Sequence, residues 1–367
     1  MASPSTAAGP NIGNPRNPDA TPPPSILHLS FNHEGGSFAV GTTDGFMIFN
    51  TDPFEFVPTI PEDFPKNGQG GGISAVQRSL GVVAVVPVFR PDKIMIWDDS
   101  VGKWTGQLYL GSEVKSVRLR PDCIVAVEMQ KISVYDLTGN MPLLHDIKTG
   151  PNPKGLCVIS RSKQMVLVCL GLNKGEVMVK HCLLGLSRER LIKAHDSDVA
   201  CVALSNNGKL LATASTNCML FRVFATSDGR LLQELGKDSV REIYSLCFSS
   251  DAKWLAVSTN KGAVHVFSLN MGPRSIGTDG SEQDDGILPD YFSSGRSMAQ
   301  FRVPEDMQHM VVFGHQKNTV EIIGMNGRFH RCKFDPMRSG EMTQMECHNF
   351  FQPDFAGDSL DSEYAFL

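Results

Sequence analysis

His330, Cys332, Cys347 and His348 are the residue types that hold zinc. Zinc ligands come in pairs set a few residues apart, whereas here a spaced His–Cys pair is followed by an adjacent Cys-His, which fits no common metal pattern. No metal is expected. Catalytic strings fare no better: the chain contains no GxSxG, GxxxxGK[ST] or HExxH, the spacings that build a nucleophile elbow, a phosphate cradle and a metalloprotease helix. The glycine-rich "GQGGGI" at residues 68–73 lacks a strand-to-helix context and reads as a linker. An enzyme is not expected, and no cofactor is. What remains is binding chemistry, carried by histidines such as His195 and His265 and by cations such as Arg222. Taken singly, such groups are as often turn, edge or surface residues as ligands. Their meaning depends on the elements that position them.

Those elements repeat. "ILHLSFNHEGGSFAVGTTDGFMIFN" from Ile26 is an alternating strand, a polar turn, a small-residue strand and a strand ending in an aromatic. The unit returns as "VKSVRLRPDCIVAVEMQKISVYDL" from Val114, "VACVALSNNGKLLATASTNCMLFRVF" from Val199 and "IYSLCFSSDAKWLAVSTNKGAVHVF" from Ile243. Less regular copies run from Ile73, Lys154 and Met298. Starts spaced by about 40 residues or somewhat more are the period of four-stranded propeller blades, and the alternation with Asn-Gly and Asp-Gly turns is the hairpin pattern. Seven copies close a ring. The expected fold is all-β, a seven-bladed propeller over residues 25–336, with a disordered segment at 1–24 and a flexible, acidic tail at 337–367.

Composition agrees. The chain has 367 residues, 41% of them hydrophobic, enough for one large all-β domain. A net charge of −5 gives no overall basic field, so nucleic acid is not an expected partner and affinity for phosphate must come from a local patch. The nine cysteines show no CxxC and suit reduced, buried thiols. No apolar run is long enough to span a bilayer. The Pro-, Ala- and Ser-rich start lacks the charged and apolar regions of a signal peptide. Any membrane contact is expected to be peripheral.

Several strings are more specific than a propeller repeat. "KIMIWDDSVGKWTGQLYLGSEVKSVRLRPDCIVAV", "NPKGLCVIS", "IKAHDSDVACVALSNNGKLLATAS", "REIYSLCFSSDAKWLAVSTNKGAVHVFSL" and "DYFSSGRSMAQFRVPED", together with the first repeat, resemble the PROPPIN family, called WIPI proteins in animals. The likeness runs over roughly residues 26–334. It implies a seven-bladed propeller that binds phosphatidylinositol 3-phosphate and the 3,5-bisphosphate. It further implies a non-enzymatic, monomeric adaptor in autophagosome formation and endosomal or vacuolar traffic. Such an adaptor is cytosolic and peripheral on preautophagosomal, vacuolar and endosomal membranes, and works with autophagy lipid-transfer or conjugation proteins.

In that family a Phe/Leu-Arg-Arg-Gly motif precedes blade six, and each arginine serves one of two headgroup pockets. Guanidinium suits the task because its planar donors engage phosphate bidentately at permanent charge. Here the motif positions read Glu234, Leu235, Gly236, Lys237 without a gap, or Leu235, Gly236, Lys237, Asp238 with one deletion. Either way the arginine pair is lost at Leu235 and Gly236 or their neighbours, and Lys237 is at most one substitute. At the first pocket the family pattern falls on His195, Thr213, Ser215 and Arg222, with Met219 where a small hydroxyl belongs. At the second it falls on Thr259, Lys261 and His265, with Ala263 for a threonine. A pocket histidine binds phosphate better when protonated. Charge-assisted bonds contribute roughly 1.5–3 kcal/mol each, so losing two costs about 3–6 kcal/mol, roughly a hundred- to ten-thousand-fold in affinity. Lipid binding is therefore expected to be weak or absent, and the alternative is a protein-only scaffold, inside or outside autophagy.

Two further segments bear on membranes and partners. The span 270–290 corresponds to the family's membrane-dipping loop, but Asp279, Glu282, Asp284 and Asp285 would be repelled by anionic lipid. The tail "DSLDSEYAFL" places acids before Tyr364 and Leu367. That resembles the short motif that binds ubiquitin-like autophagy modifiers by strand addition.

Overall fold

Each repeat folds into one small antiparallel sheet, and seven such sheets stand as blades around an axis. The computed structural model describes residues 24–32, 35–58, 71–137, 139–183, 186–216, 219–237, 242–269 and 297–351. Blade 1 opens with Ile26–Phe31, blade 2 with Ile73–Ser79, blade 3 with Val114–Leu119 and blade 4 with Cys157–Ile159. Blades 5, 6 and 7 open with Val199–Leu204, Ile243–Phe248 and His309–Phe313. These first strands line the axial channel, and the following strands pair outward in chain order. Among the described residues every regular element is a strand.

The second strand of each blade explains why the sequence stacks this way. "SFAVGT" at Ser37–Thr42 and "CIVAVE" at Cys123–Glu128 are buried along their whole length. A strand covered on both faces reads as a nearly continuous apolar and small-residue run rather than an alternating one. Each gap between neighbouring blades then holds its own apolar core. One cluster joins blades 5 and 6 through Phe221, Leu235, Ile243 and Phe267. Another joins blades 4 and 5 through Val179, Ile192, Val199 and Phe224.

The ring closes without a shared strand, since blade 1 and blade 7 are each built from their own end of the chain. Aromatic packing seals the seam instead. Phe38 of blade 1 stacks on Phe49 at 5.1 Å and on Phe329 of blade 7 at 6.1 Å between ring centroids. Such contacts add about 0.5–1.5 kcal/mol each beyond area burial. Arg331, 1% exposed, reaches across to the carbonyl oxygen of Thr51 and holds Glu346 at 2.5 Å.

Two boundaries differ from the sequence reading. The seventh copy was expected to start at Met298, but Ala299–Arg302 is the fourth strand of blade 6, paired with Ala263–Ser268. A long segment separates those partners in sequence, and it displaces the repeat spacing. The propeller also extends past residue 336, because Gly340–Glu341 adds a parallel strand to blade 6 and Thr343–Asn349 completes blade 7. The tail strands read as irregular because "TQMECHN" exposes much of its length.

Candidate ligand-binding rim

The first group of candidate residues lies where blade 4 meets blade 5. His195 sits between the outermost strand of blade 4, Leu186–Lys193, and the first strand of blade 5. It is 2% exposed, and its Nε2 lies 2.8 Å from Thr213 Oγ1. Burial, followed by the nearby Arg222 charge, lowers its pKa to about 4, so the imidazole is neutral near pH 7. Ser215 and Ser197 share a short hydroxyl–hydroxyl hydrogen bond. Arg222, on the third strand of blade 5, donates from Nε to Glu234 Oε2 at 2.7 Å and from Nη1 to the Ala194 carbonyl at 2.7 Å. The strand register sets Glu234 directly opposite Arg222. The residues expected to gather here do gather, but their polar atoms are turned on one another.

The second group lies on the rim of blade 6 and is open. A hollow of about 410 Å³ is lined by Lys261, Gly262, Ala263, His265, Gln300, Arg302 and Glu305. Thr259 is 1% exposed and donates to the Ala263 carbonyl at 3.3 Å, which takes it out of the lining. His265 Nδ1 lies 3.2 Å from Ser297 Oγ. Gly262 has φ 61°, and a Cβ there would meet the Val303 oxygen at 2.4 Å, so only glycine allows this close turn. Arg302 was not anticipated. It is exposed and stands opposite Ala263 in the register, at the position that lacks the expected threonine. Its signal lay in "MAQFRVPED", and it became legible only once that strand is assigned to blade 6.

The chain matches the PROPPIN family model over residues 25–317. This chain belongs to the PROPPIN family. It is 35% identical to "Autophagy-related protein 18e" of Arabidopsis thaliana, over 91% of this chain and 90% of that protein. It is 27% identical to "Autophagy-related protein 18" of Dictyostelium discoideum, over 91% of this chain and 96% of the relative. Among solved structures, Kluyveromyces lactis Hsv2 with its complete loop 6CD aligns at TM-score 0.72 and 22% identity, covering 89% of this chain and 99% of that one. The complex of KlAtg21 with the coiled coil of AgAtg16 aligns at TM-score 0.72 and 21% identity over the same shares. At these identities the structural matches speak for the fold.

In this PROPPIN the strand that holds the motif positions expected from the sequence is Leu231–Lys237, the outermost of blade 5. Leu235 is 3% exposed within the blade 5–6 core. Gly236 follows with φ 107°, a backbone conformation that favours glycine. An arginine at Leu235 would bury an unpaired charge, and one at Gly236 would strain the chain. Lys237 ends the strand opposite Met219. The acidic span 270–290 and the tail residues Tyr364 and Leu367 lie outside the described residues.

Proposed function

We propose that this protein is a non-enzymatic autophagy adaptor of the PROPPIN type, acting in autophagosome formation and endosomal-vacuolar traffic with weakened phosphoinositide binding. Family membership and relatives named as autophagy-related proteins support the role. The weakening rests on one observation: Arg222, the arginine kept at the first pocket, is committed to Glu234 and to the Ala194 carbonyl. A phosphate there must displace a carboxylate. Membrane contact, on this reading, falls to the blade 6 hollow, where Lys261, Arg302 and His265 face one exposed acid, Glu305. A single shallow site gives little avidity, so residence is brief and peripheral.

A second reading is a protein scaffold without lipid recognition. It is favoured by the strand of the motif positions, where, in the gap-free alignment, a core leucine and a positive-φ glycine stand in place of arginines. A structural relative, KlAtg21, is in complex with the coiled coil of AgAtg16, which supports reading this propeller as a platform for a protein partner. Binding of a ubiquitin-like modifier through Tyr364 and Leu367 is part of the same proposal and rests on sequence alone.

Vesicle flotation separates the two. The full chain is mixed with vesicles carrying phosphatidylinositol 3-phosphate, beside phosphatidylinositol-only vesicles. The first reading expects specific flotation that falls at least fivefold in Lys261→Ala/Arg302→Ala. No specific flotation of the wild type leaves the scaffold reading in place and rejects the first.

A further inference from the structure

The propeller axis carries a second cationic site, unrelated to the rim. Its channel has a volume of about 560 Å³, within the range of small-ligand pockets. The described lining includes Lys115, Arg118, Lys154 and Arg161, and no aspartate or glutamate. The two lysines are answered nearby: Lys115 pairs with Glu113 at 2.7 Å and Lys154 with Glu242 at 3.0 Å.

Arg118 is different. It stands on the first strand of blade 3 and reaches toward blade 4, giving Nε to the Cys157 carbonyl at 2.7 Å and Nη1 to the Val117 carbonyl at 2.9 Å. A guanidinium has five N–H donors, so these two bonds leave donors to spare, and no carboxylate among the described residues pairs with it. Burial works against its charge. A part-buried cation held only by neutral carbonyls gains from an anion that completes it. His28 of blade 1 lines the same channel. Its Nδ1 accepts from the Val76 amide at 3.3 Å, which keeps the ring proton on Nε2. Burial, then the Arg118 charge, lowers the pKa of His28 to about 4, so it remains a neutral donor.

We propose that the axial channel binds a small phosphate-bearing anion, held by the Arg118 guanidinium with His28 Nε2–H as a second donor. Phosphate is the chemistry that fits, because it offers several acceptor oxygens to a forked donor at a charge that offsets the part-buried cation. The anion has two sources, a free phosphate compound or an inositol phosphate headgroup.

The test uses the full chain and sodium pyrophosphate, at constant ionic strength, read by thermal shift and by phosphorus NMR titration. Saturable binding is expected in the wild type and in Lys261→Ala/Arg302→Ala. A loss of at least tenfold is expected in Arg118→Gln. Should that variant fail to fold, Arg118→Lys keeps the charge without the fork and is expected to weaken binding severalfold. Wild type without saturable binding overturns the proposal, as does equal affinity in the Arg118 variant. Flotation on phosphatidylinositol 3-phosphate vesicles assigns the source. Unchanged flotation of Arg118→Gln marks a free anion, and lost flotation marks the headgroup. Because the rim variant is tested in parallel, failure of the rim and failure of the channel give separate signatures.

Discussion

Arg222 stands opposite Glu234 in the strand register, and the proposed weakening of lipid binding turns on that pair. Its guanidinium is only part-exposed, its partner Glu234 is about half exposed, and the pair contributes about 0–1 kcal/mol to stability. On the proposed function, its effect is expected on binding more than on folding. Glu234→Gln is therefore expected to leave the denaturation midpoint nearly unchanged while raising affinity for phosphatidylinositol 3-phosphate vesicles about three- to tenfold. Arg222→Ala in the wild-type background is expected to change flotation little, because that arginine is already occupied. Beside it, His195 predicts an acid dependence. Its folded pKa is lowered to about 4 against an unfolded value of 6.5. The unfolded chain thus binds the proton more readily between those values, and stability is full above pH 6.5 and falls as pH drops toward 4. Each unit of pKa difference is worth about 1.4 kcal/mol. Urea midpoints measured from pH 7.5 to 4.5 are expected to fall, and His195→Gln is expected to flatten part of that fall.

At the scale of elements, the outermost strand of blade 5 holds the expected motif positions. Putting the arginines back as Leu235→Arg/Gly236→Arg is expected to destabilise the protein rather than restore a lipid site. Removing a core leucine costs about 2–5 kcal/mol, and a positive-φ side chain adds about 1–3 kcal/mol. A thermal midpoint unchanged in the double variant would show that this strand tolerates the motif. The same strand marks the limit of what sequence makes legible. Period-2 alternation and turn residues identify seven blades, because blade packing imposes them locally. The gap-free and deleted alignments of the motif are indistinguishable by composition. They differ in which residues fall at the arginine positions, Leu235 and Gly236 or Gly236 and Lys237, and only the assembled strands reveal that Leu235 packs in the blade 5–6 core. Arg302 was missed for the matching reason: its strand pairs across an insertion, and pairing over such a distance leaves no local pattern. The Glu234–Arg222 contact is likewise a property of register, invisible until the two strands are set side by side.

The whole ring depends on a seam that no strand crosses, and a buried ionic cluster sits beside its aromatic packing. Arg331 lies 3.5 Å from Glu321, 3.8 Å from Asp52 and 2.5 Å from Glu346. Glu321 is 1% exposed, and burial raises its carboxyl pKa, with the Arg331 charge opposing that rise. A carboxyl whose folded pKa is raised stabilises most when protonated, below its unfolded value, and that contribution is lost as pH rises through the folded pKa. Glu321→Gln is thus expected to be neutral or stabilising at pH 8. Arg331→Met should be the damaging change, costing about 3–5 kcal/mol, because it leaves Glu321 buried without its cation. Combining it with Glu321→Leu removes the orphaned charge and is expected to recover much of the loss. The double-mutant cycle, read by urea unfolding, therefore predicts a coupling of more than about 1 kcal/mol between the two sites. Additive effects would mean that Arg331 acts through Thr51 and Glu346 alone, closing the ring by its bonds to blade 1 and to its own outer strand rather than by neutralising the interior of blade 7.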